Sequence, residues 1–465
     1  MTTNRPPGAG LGPEPDIPRL EQGALHILRT LREQGHRAYF AGGCVRDQLL
    51  GKPAKDIDIA TSARPDEITP LFPKTVAIGK AFGVIGVVHE GILYEVATFR
   101  KESHYSDGRR PDEVTFTDAQ EDARRRDFTI NALFYDPIEE QVLDFVGGRE
   151  DLQVKQIRAV GDPGQRFQED HLRMLRAIRF AGTLDFTIEA GTWNAIPERA
   201  HLIARISSER IRDELVRILT ESVKPGFALR RLHEAGLLSV ILPEINAMAG
   251  VEQPPEFHPE GDVFTHVCMM LDLMEQPTIE LALAVLLHDV GKPPTARIGP
   301  GRDGVDRIRF DAHDKVGAVM AERILQRLRF PNSVVKNVTH CVGNHMRFMH
   351  VQEMRRAKLR ALIASPTYPT ELELHRLDCL ASHGGLDNYQ FLKECESELQ
   401  AETALPQAWI RGEDLLALGL PEGPEIGRLL DEAYTRQLEG AARDRDELLE
   451  WAQQQIEEEK RWNKT

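Results

Sequence analysis

Two acidic side chains near the amino terminus have types and spacing suited to metal binding. The stretch "YFAGGCVRDQLLGKPAKDIDIAT" runs from Tyr39 to Thr61 and places Asp56 and Asp58 one residue apart. Residues two apart in a β-strand point to the same face, so the two carboxylates would project together and repel each other. A divalent cation between them would relieve the repulsion, and such oxygen ligands suit Mg²⁺ bound together with substrate phosphates.

The residues before these aspartates are suited to phosphate. Gly42 and Gly43 would bring backbone N–H groups close to a phosphate chain, and Arg46 is near enough in sequence to pair with it. A bare Asp-x-Asp could be two solvated turn residues, but glycines and an arginine at this spacing favour a phosphate-binding site. The segment predicts binding of a nucleoside triphosphate with its metal ions, one activating an attacking hydroxyl and one stabilising the leaving pyrophosphate.

The elements that must hold these residues follow from composition and periodicity. The chain has 465 residues, 41% hydrophobic and 6% aromatic, which fits a core-forming protein of roughly two to four domains and excludes disordered and collagen-like classes. No apolar run approaches the roughly 20 residues of a membrane-spanning helix, and the start lacks a signal-peptide pattern, so we expect a cytoplasmic protein without a membrane partner. The five cysteines are odd in number, far apart and without CxxC spacing, so the sequence suggests neither a disulfide framework nor a structural zinc cluster.

The pattern predicts an α+β fold with a small sheet in the first part and helices thereafter. The proline- and glycine-rich start indicates a disordered arm, and "LEQGALHILRTLREQG" followed by short alternating runs indicates a head domain with a leading helix. Apolar residues then recur at helical spacing, and a loop rich in proline and glycine near residue 250 marks a further boundary. We predict an arm (1–18), a sheet-containing head (19–155), a helical neck (156–250), a histidine-bearing helical domain (251–385) and a helical tail (386–465).

The formal net charge of −15 is unexpected for a protein that binds nucleic acid, because phosphates must be neutralised by lysine and arginine. The tail after about residue 386 carries much of the acidity, whereas residues 156–235 are nearly balanced and rich in arginine. A basic face would therefore lie in that stretch or near "RRRD" at Arg124 to Asp127.

Five motifs in order resemble those of the class II tRNA nucleotidyltransferases and bacterial poly(A) polymerases, within the polymerase β superfamily. They are "GGCVRDQLLGKPAKDIDIAT", "RRRDFTINAL", "DFVGGREDL", "EDHLRMLRAIRFA" and "SERIRDEL". The resemblance implies that Asp56 and Asp58 bind Mg²⁺, with Glu95 in "YEVATFR" as a third carboxylate. It also implies that Arg126 and Asp127 lie by the sugar, where Asp127 could accept a hydrogen bond from a ribose hydroxyl. The structural alternative for Asp127 is the N-cap of the following helix.

The motif "EDHLR" is expected to select the base. Asp170 and Arg173 are three residues apart, so on a helix they would share one face and could match the hydrogen-bonding edge of an incoming nucleotide. In the family this pair selects CTP and ATP; the alternative is an ordinary surface salt bridge. The same motif supplies two further candidate nucleotide contacts, Arg176 and Arg179.

A second constellation resembles the HD phosphohydrolase superfamily. "LLHDVGKPPT" holds an adjacent His-Asp in an apolar helix, and neutral imidazole with carboxylate suits Mn²⁺, Ni²⁺ or Co²⁺, which can activate water for phosphoester hydrolysis. A lone helical histidine is more often a packed core residue. The resemblance implies a metal quartet of His266, His288, Asp289 and Asp378, with three further histidines nearby in sequence, His258, His313 and His345.

These resemblances imply an RNA nucleotidyltransferase that adds CCA to tRNA 3′ ends from CTP and ATP. Poly(A) polymerase is the close alternative, but its basic pair is incomplete here, since Lys80 is followed by Ala81. The segment from His104 to Asp122 resembles the loop that helps the site switch nucleotide, which argues against an enzyme that adds only CC; A-only addition stays open. A hypothesis of another class is an HD phosphohydrolase with a non-catalytic RNA-binding head. In the tail, "LPEGPE" either contacts RNA phosphate or joins two helices.

Overall fold

The computed structural model describes residues 17–103, 113–254, 258–259, 261–275, 277–300, 306–401, 407–421 and 423–462. These residues form two compact units. The first contains the described residues up to Ala249 together with Ile324–Phe330, and the second contains the described residues from Gly250 to Arg323 and from Pro331 onward. No helix of this described part is long and apolar enough to cross a membrane.

The first unit is built on a seven-stranded sheet with the strand order β3-β4-β5-β2-β1-β8-β9. Strand β2 is antiparallel to β1 and parallel to β5, so the chain crosses over between β2 and β5. A separate β6–β7 hairpin and a short parallel β10–β11 pair complete its strands. The bounds are β1 (Ala38–Ala41), β2 (Asp58–Thr61), β3 (Thr75–Gly79), β4 (Val84–His89), β5 (Ile92–Thr98), β6 (Arg100–Ser103), β7 (Glu113–Phe116), β8 (Phe134–Asp136), β9 (Gln141–Leu143), β10 (Gln156–Ile157) and β11 (Thr187–Ile188).

Twelve helices belong wholly to the first unit, counted over its described residues. The leading helix buries its apolar stripe, and the buried hydroxyl of Tyr94 donates to the Leu20 carbonyl at 3.1 Å, which ties this helix to β5. The helices are α1 (Ile17–Glu33), α2 (Gly43–Leu49), α3 (Pro65–Ile68), α4 (Ala119–Arg124), α5 (Gly148–Gln153), α6 (Pro163–Glu169), α7 (Arg173–Leu184), α8 (Ala190–Asn194), α9 (Ser208–Glu221), α10 (Pro225–Glu234), α11 (Leu237–Ile241) and α12 (Pro243–Asn246), with 3₁₀ turns at Thr69–Leu71, Lys80–Phe82, Thr129–Asn131 and Pro197–Arg205.

Where the structure describes it, the second unit is helical apart from one hairpin. The apolar helix α14 is almost wholly buried, as its sequence "IELALAVLL" requires. The elements are α13 (Val263–Asp272), α14 (Ile279–Leu287), α15 (Lys292–Thr295), β12 (Ala296–Pro300), β13 (Asp306–Phe310), α16 (His313–Arg327), α17 (Asn332–Asn344), a 3₁₀ segment (His345–Glu353), α18 (Arg356–Ile363), α19 (Tyr368–Ala381), α20 (Asp387–Ala401), α21 (Gly412–Ala417), α22 (Pro424–Leu438) and α23 (Arg445–Trp462).

The α+β fold class is confirmed, with the sheet in the first part of the chain and helices after it. The predicted arm extended to residue 18, whereas α1 already begins at Ile17; residues 1–16 lie outside the described part. Residues 104–112 of the proposed switching loop also lie outside it, and the loop's next residues form β7. The other domain boundaries stay predictions. In the tail, "LPEGPE" spans residues 420–425; Glu422 lies outside the described residues, and the last two residues of this segment are already the start of α22 at Pro424.

Candidate nucleotide site and candidate metal centre

Gly42, the first glycine of the opening motif, has a backbone conformation that favours glycine. Gly42 follows β1 with φ +79°, a left-handed conformation that favours glycine, and an added Cβ would lie 3.0 Å from Nη1 of Arg126. The N–H of Gly42 donates to the Leu133 carbonyl at 3.1 Å. The Gly42 N–H is therefore engaged within the protein, and of the two glycine N–H groups predicted to contact phosphate, that of Gly43 stays the candidate.

Two of the three predicted carboxylates lie on the neighbouring strands β2 and β5, Asp58 at the start of β2 and Glu95 in the middle of β5. Strand β2 begins at Asp58, so Asp56 lies just before the strand and is exposed, while Asp58 and Glu95 are half-buried. Ile59 pairs with Val96 in the parallel ladder, and Asp58 and Glu95 are the residues directly before them. The three do not form one tight cluster: within the described residues, groups of three ligand atoms within 4.8 Å occur only in the second unit.

The electrostatics of these carboxylates favour a bound cation. Burial raises the pKa of Asp58 to about 7, and the negative charges of Asp56 and Glu95 add to the rise. Burial also raises the pKa of Glu95, with a contribution from Asp56. A hard divalent cation would stabilise the ionised form of carboxylates whose neighbours oppose their ionisation. These residues therefore fit Mg²⁺.

Asn131 connects two of the predicted arginines. Its side-chain oxygen accepts from Nη1 of Arg46 at 2.7 Å, and its backbone carbonyl accepts from Nη1 of Arg126 at 3.2 Å. Arg126 also donates to the buried carboxylate of Asp122. Burial opposes ionisation of Asp122, but Arg125 and Arg126 outweigh it and hold its pKa below the usual range.

Asp127 forms a buried ion pair with Arg176. Its Oδ2 accepts from Nε and Nη2 of Arg176 at 2.8 and 2.5 Å, and its Oδ1 accepts from the Phe128 N–H and the Asn131 side chain. Burial opposes its ionisation, but Arg176 outweighs it and lowers the pKa of Asp127. These four bonds occupy both carboxylate oxygens, and the carboxylate does not cap the following 3₁₀ turn. The ribose contact predicted for Asp127 stays a prediction.

Three guanidinium groups surround the ring of Phe180. The Cζ atoms of Arg46 and Arg176 each lie 5.2 Å from the ring centroid, and that of Arg179 lies 4.1 Å from it. Glu214 on α9 compensates part of this charge, with Oε2 2.6 Å from Nε of Arg179. Burial lowers the pKa of Arg179 to about 10, so the group still carries its charge at neutral pH. Asp47 lies 2.7 Å from Nη2 of Arg46, so each of the three guanidiniums has a carboxylate partner, and the arrangement provides an array of fixed guanidinium donors with cation–π support.

The expectation that Asp170 and Arg173 share one face of a helix is wrong, and the alternative of a salt bridge between them is not observed; their role in base selection stays a prediction. Helix α6 ends at Glu169, Asp170 has an extended conformation with φ −137°, and α7 begins only at Arg173. Arg173 pairs instead with Glu169 at 2.6 Å. Asp170 pairs with Arg210 at 2.8 Å. The periodic pattern around "EDHLR" suggested one continuous helix, but the break at Asp170 turns the two side chains toward different partners.

The sequence analysis did not identify four charged residues and one asparagine that bond to the predicted site residues. All of them lie inside or beside the quoted motifs, so motif membership was the available signal, but their pairing depends on elements far apart in the chain. They are Asp122, Asn131, Glu169, Arg210 and Glu214.

The histidine cluster of the second unit forms two groups of three potential ligands. Their ligand atoms lie within 4.8 Å of one another in each group, and the two groups adjoin, since the ring centroids of His288 and His345 are 5.4 Å apart. The groups contain all four predicted ligands and two of the three additional histidines: His266, His288 and Asp378 in the first, Asp289, His313 and His345 in the second.

The imidazoles of this cluster are oriented as metal ligands are. The Nδ1 atoms of His288, His313 and His345 each contact a backbone carbonyl at 2.7–2.9 Å, which directs their Nε2 atoms toward the cluster. Burial, with the neighbouring His288, lowers the pKa of His345 to about 4, so this imidazole is neutral and able to bind metal. The donor set of imidazole and carboxylate fits borderline divalent metals.

Asp289 is the most heavily engaged carboxylate of the cluster. Its Oδ2 lies 3.1 Å from Nε2 of His288 and 2.7 Å from Nζ of Lys292, and Oδ1 lies 3.4 Å from Nε2 of His313. Lys292 also donates to the buried Gln253 side chain at 2.7 Å. Burial opposes ionisation of Asp289, but His288 and Lys292 outweigh it and hold its pKa well below its usual range.

Three family models match the chain in sequence. They are described as the poly A polymerase head domain for residues 38–158, a probable RNA and SrmB-binding site of polymerase A for residues 185–248, and the HD domain for residues 263–380. The first model covers all three candidate carboxylates of the sheet, and the third covers both groups of the histidine cluster.

Characterised relatives share these regions. The CCA-adding enzyme of Lactobacillus johnsonii is 33% identical over 428 residues, which cover 91% of this chain and 95% of that enzyme. The CCA-adding enzyme of Bacillus pumilus is 53% identical over 197 residues, 42% of this chain and 49% of that enzyme, so this match spans about half the relative's length.

Solved structures agree in fold. The Bacillus stearothermophilus CCA-adding enzyme in complex with CTP superposes with a TM-score of 0.70 and 29% identity, covering 95% of this chain and 98% of the other. The Thermotoga maritima CCA-adding enzyme complexed with tRNA has a TM-score of 0.56 at 22% identity, which shows a shared fold.

The Asp127–Arg176 pair leads to a stability prediction. We expect Asp127→Asn to leave Arg176 incompletely paired in a buried position and to cost about 3–5 kcal/mol at pH 7. The folded-state pKa of Asp127 is depressed, so the pair's contribution is present above the unfolded value near 3.9 and is lost as pH falls through the folded value.

The measurement is hydrogen exchange of the α7 amides in both proteins, converted to an opening free energy at several pH values. The difference in opening free energy between wild type and variant should become smaller as the pH is lowered below about 4. The exposed Asp66→Asn is the control and should leave α7 unchanged. A gap that stays constant down to pH 2 would contradict the depressed pKa.

Proposed function

The chain belongs to the CCA-adding enzyme family, and on that premise we propose that it adds CCA to tRNA 3′ ends from CTP and ATP with release of pyrophosphate. The observation that carries the proposal is that one unit holds both Asp58 and Glu95, on neighbouring strands, and the arginines around Phe180, with Asn131 bonded to both Arg46 and Arg126. Acidic groups that suit metal ions and basic groups that suit a triphosphate are the two halves of a nucleotidyltransferase site. A cytoplasmic location belongs to the same proposal.

The reaction joins the tRNA 3′ oxygen to the α-phosphorus of the nucleotide and breaks the bond to pyrophosphate. Mg²⁺ on Asp56 and Asp58 would activate the attacking hydroxyl and stabilise the leaving group. Glu95 supports the charge of that site from the neighbouring strand. Arg46, fixed by Asn131, and Arg176, fixed by Asp127, supply positive charge for the triphosphate. Because these guanidiniums are already held in place, they need not be ordered when substrate binds.

We assign base selection to Asp170 and Arg173, which lie at the break between α6 and α7. Arg173 uses three of its five N–H donors on Glu169 and the carbonyls of Arg166 and Arg125, which fixes its plane and leaves the others to face a base. Arg210 likewise fixes the carboxylate of Asp170. A fixed donor beside a fixed acceptor can match the edges of cytosine and adenine, although the two do not pair with each other.

The metal-site residues give the first test. We expect Asp56→Ala or Asp58→Ala to reduce nucleotide incorporation by at least 100-fold, because the transition-state charge loses a compensating cation. Purified protein is supplied with tRNAs ending before C74, at C74 and at C75, with CTP and ATP separately and together. Asp66→Ala is the matched control, since Asp66 is an exposed carboxylate of the same unit.

The same assay separates the alternatives. Near-normal incorporation by folded Asp56 or Asp58 variants would contradict the proposed site. Repeated adenosine addition would identify a poly(A) polymerase, and addition of only C or only A would identify a partial activity.

The selection residues give a separate test. We expect Arg173→Ala or Asp170→Ala to reduce discrimination of CTP and ATP against UTP and GTP by tenfold or more, since each unpaired hydrogen-bonding group is worth about 1–3 kcal/mol. Incorporation of all four nucleotides into truncated tRNA measures the effect, with the exposed Arg205→Ala as control. A uniform fall in rate with unchanged selectivity would leave these residues with a structural role only.

A second activity is favoured by the two ligand groups of the histidine cluster: we propose that the second unit hydrolyses phosphoesters. A bound divalent metal of the Mn²⁺, Ni²⁺ or Co²⁺ type would activate water there. The water oxygen bonds to phosphorus, the ester bond breaks and the leaving oxygen takes a proton. Lys292, held by Asp289 and Gln253, adds a fixed positive charge beside the cluster.

The hydrolytic centre gives its own prediction. We expect His288→Ala with Asp289→Ala to abolish metal-dependent phosphatase and phosphodiesterase activity while leaving nucleotide addition largely unchanged, because the two sets of residues belong to different units. The exposed His350→Ala is the control for histidine loss in this unit. Equal loss of both activities in the double variant would contradict two independent sites.

A further inference from the structure

An apolar surface lies on the face of the seven-stranded sheet that carries Glu95. In the antiparallel register of β4 and β5, Glu95 is paired with Gly86, so both residues point to that face. A Cβ added to Gly86 would lie 2.6 Å from Cδ1 of Ile78 and 2.8 Å from Cδ1 of Leu93, so these two side chains cover the glycine. Val76 of β3 is also paired with Gly86 and shares the face. We call Val76, Ile78 and Leu93 the apolar platform.

The platform is exposed although the sheet has a core. Its three side chains have exposed fractions of 46%, 40% and 48% in chain order. Side chains alternate along β5, so Tyr94 and Val96 point to the opposite face, where they are buried. Because Gly86 has no side chain, the ends of Ile78 and Leu93 lie across it. Adjoining apolar side chains that the core does not use are typical of a binding surface.

The platform and the candidate phosphate-binding residues lie on opposite sides of the carboxylates. The strand order places β5 and β2, which carry Glu95 and Asp58, between β3 and β4 on one side and β1 on the other. Ala41, the last residue of β1, is paired with Asp58 and leads into the glycine motif and α2, which begins at Gly43. The candidate triphosphate contacts therefore follow β1, whereas the platform belongs to β3 and β5.

The chemistry of phosphoryl transfer indicates what would occupy the platform. The attacking oxygen and the leaving pyrophosphate lie roughly in line, on opposite sides of the α-phosphorus. With the pyrophosphate held near Gly43 and Arg46, the attacking 3′ hydroxyl approaches from the side of β5. The ribose and base that carry this hydroxyl then lie beyond Glu95, over β4 and β3, where the platform is.

An apolar platform suits a terminal nucleotide that changes as addition proceeds. The 3′ end that accepts the first nucleotide differs from the ends that accept the second and third. Stacking against apolar side chains uses the face of a base, which every base has, and not its hydrogen-bonding edge. Such a surface can hold each successive end in the same place.

We propose that the apolar platform binds the 3′-terminal nucleoside of the acceptor RNA and holds its hydroxyl in line with the α-phosphate of the incoming nucleotide. The proposal rests on the nucleotide addition proposed above and adds residues that contact its second substrate. The platform contributes to the rate of addition without selecting the last base of the acceptor. Selection of the incoming nucleotide stays with Asp170 and Arg173.

The kinetic test compares full-length wild type with the double variant Ile78→Ala and Leu93→Ala, using tRNA ending at C75, ATP and Mg²⁺. We expect the single-turnover rate at saturating ATP to fall at least tenfold, because a misplaced hydroxyl loses its in-line geometry. The KM for ATP should change less than twofold, since the triphosphate is held by other residues.

Two matched variants accompany this comparison. The double variant Ile78→Met and Leu93→Met keeps the apolar area and should stay within threefold of the wild-type rate. Ile138→Ala is the control, because Ile138 is an exposed apolar residue between β8 and β9, at the other edge of the same sheet. An unchanged rate in the folded alanine variant would overturn the proposal, as would a tenfold rise in its KM for ATP.

A second measurement locates the RNA end without requiring activity. A tRNA that ends at position 73 with 4-thiouridine is irradiated in complex with wild type, and the crosslinked protein is digested with trypsin. We expect the nucleotide to be attached to residues 75–80 or 81–100, the two tryptic peptides that contain the platform. Absence of both peptides from the crosslinked set would overturn the proposal.

Other outcomes are distinguishable. If wild type adds no nucleotide to any tRNA, the proposed function is refuted, and the crosslink alone supports or overturns the binding of an RNA end. If wild type sediments as a dimer that the double alanine variant does not form, the platform joins two copies of the chain, and the proposal is overturned.

Discussion

The buried ion pair between Asp127 and Arg176 is the interaction on which the rest of the candidate nucleotide site depends. It joins the segment after α4 to helix α7, and the other oxygen of Asp127 holds Asn131. Asn131 in turn holds Arg46 beside the glycine motif. Three motifs that are far apart in the chain are thereby connected by one network of buried charge. Because each member bonds to another, a substitution at one position should change the position or the stability of the others.

Under the proposed function, this network accounts for the binding of a polyanion by an acidic chain. Arg46, Arg176 and Arg179 surround one aromatic ring, while the acidic partners Asp127 and Glu214 fix their positions. The formal charge of the whole chain describes solubility and long-range attraction, whereas a triphosphate responds to the potential of the cleft that surrounds it. The local arrangement of paired guanidinium groups therefore matters more than the sum of −15.

The carboxylates of β2 and β5 and the histidine cluster share one physical feature. In each, the fold brings together groups whose mutual repulsion or burial costs stability: Asp58 beside Glu95, and neutral His345 beside His288. Protein segments chosen for stability alone would avoid such contacts, and their cost is offset when a metal ion binds. The two places are thus candidates for binding Mg²⁺ and a transition metal, respectively.

Local sequence was sufficient for the fold class and for most candidate ligands, because strand alternation, helical periodicity and motif order are short-range properties. The leading helix and the strands around Asp58 and Glu95 could be found in this way, whereas the set His266, His288, Asp289 and Asp378 followed from the resemblance to a known family. The pairing of charged side chains could not be predicted from local sequence. The break at Asp170, the pairing of Glu169 with Arg173 and of Asp170 with Arg210, and the approach of His313 and His345 to Asp289 join residues on separate elements. Only tertiary packing decides such contacts, since a charged side chain pairs with whichever opposite charge the folded backbone brings within reach.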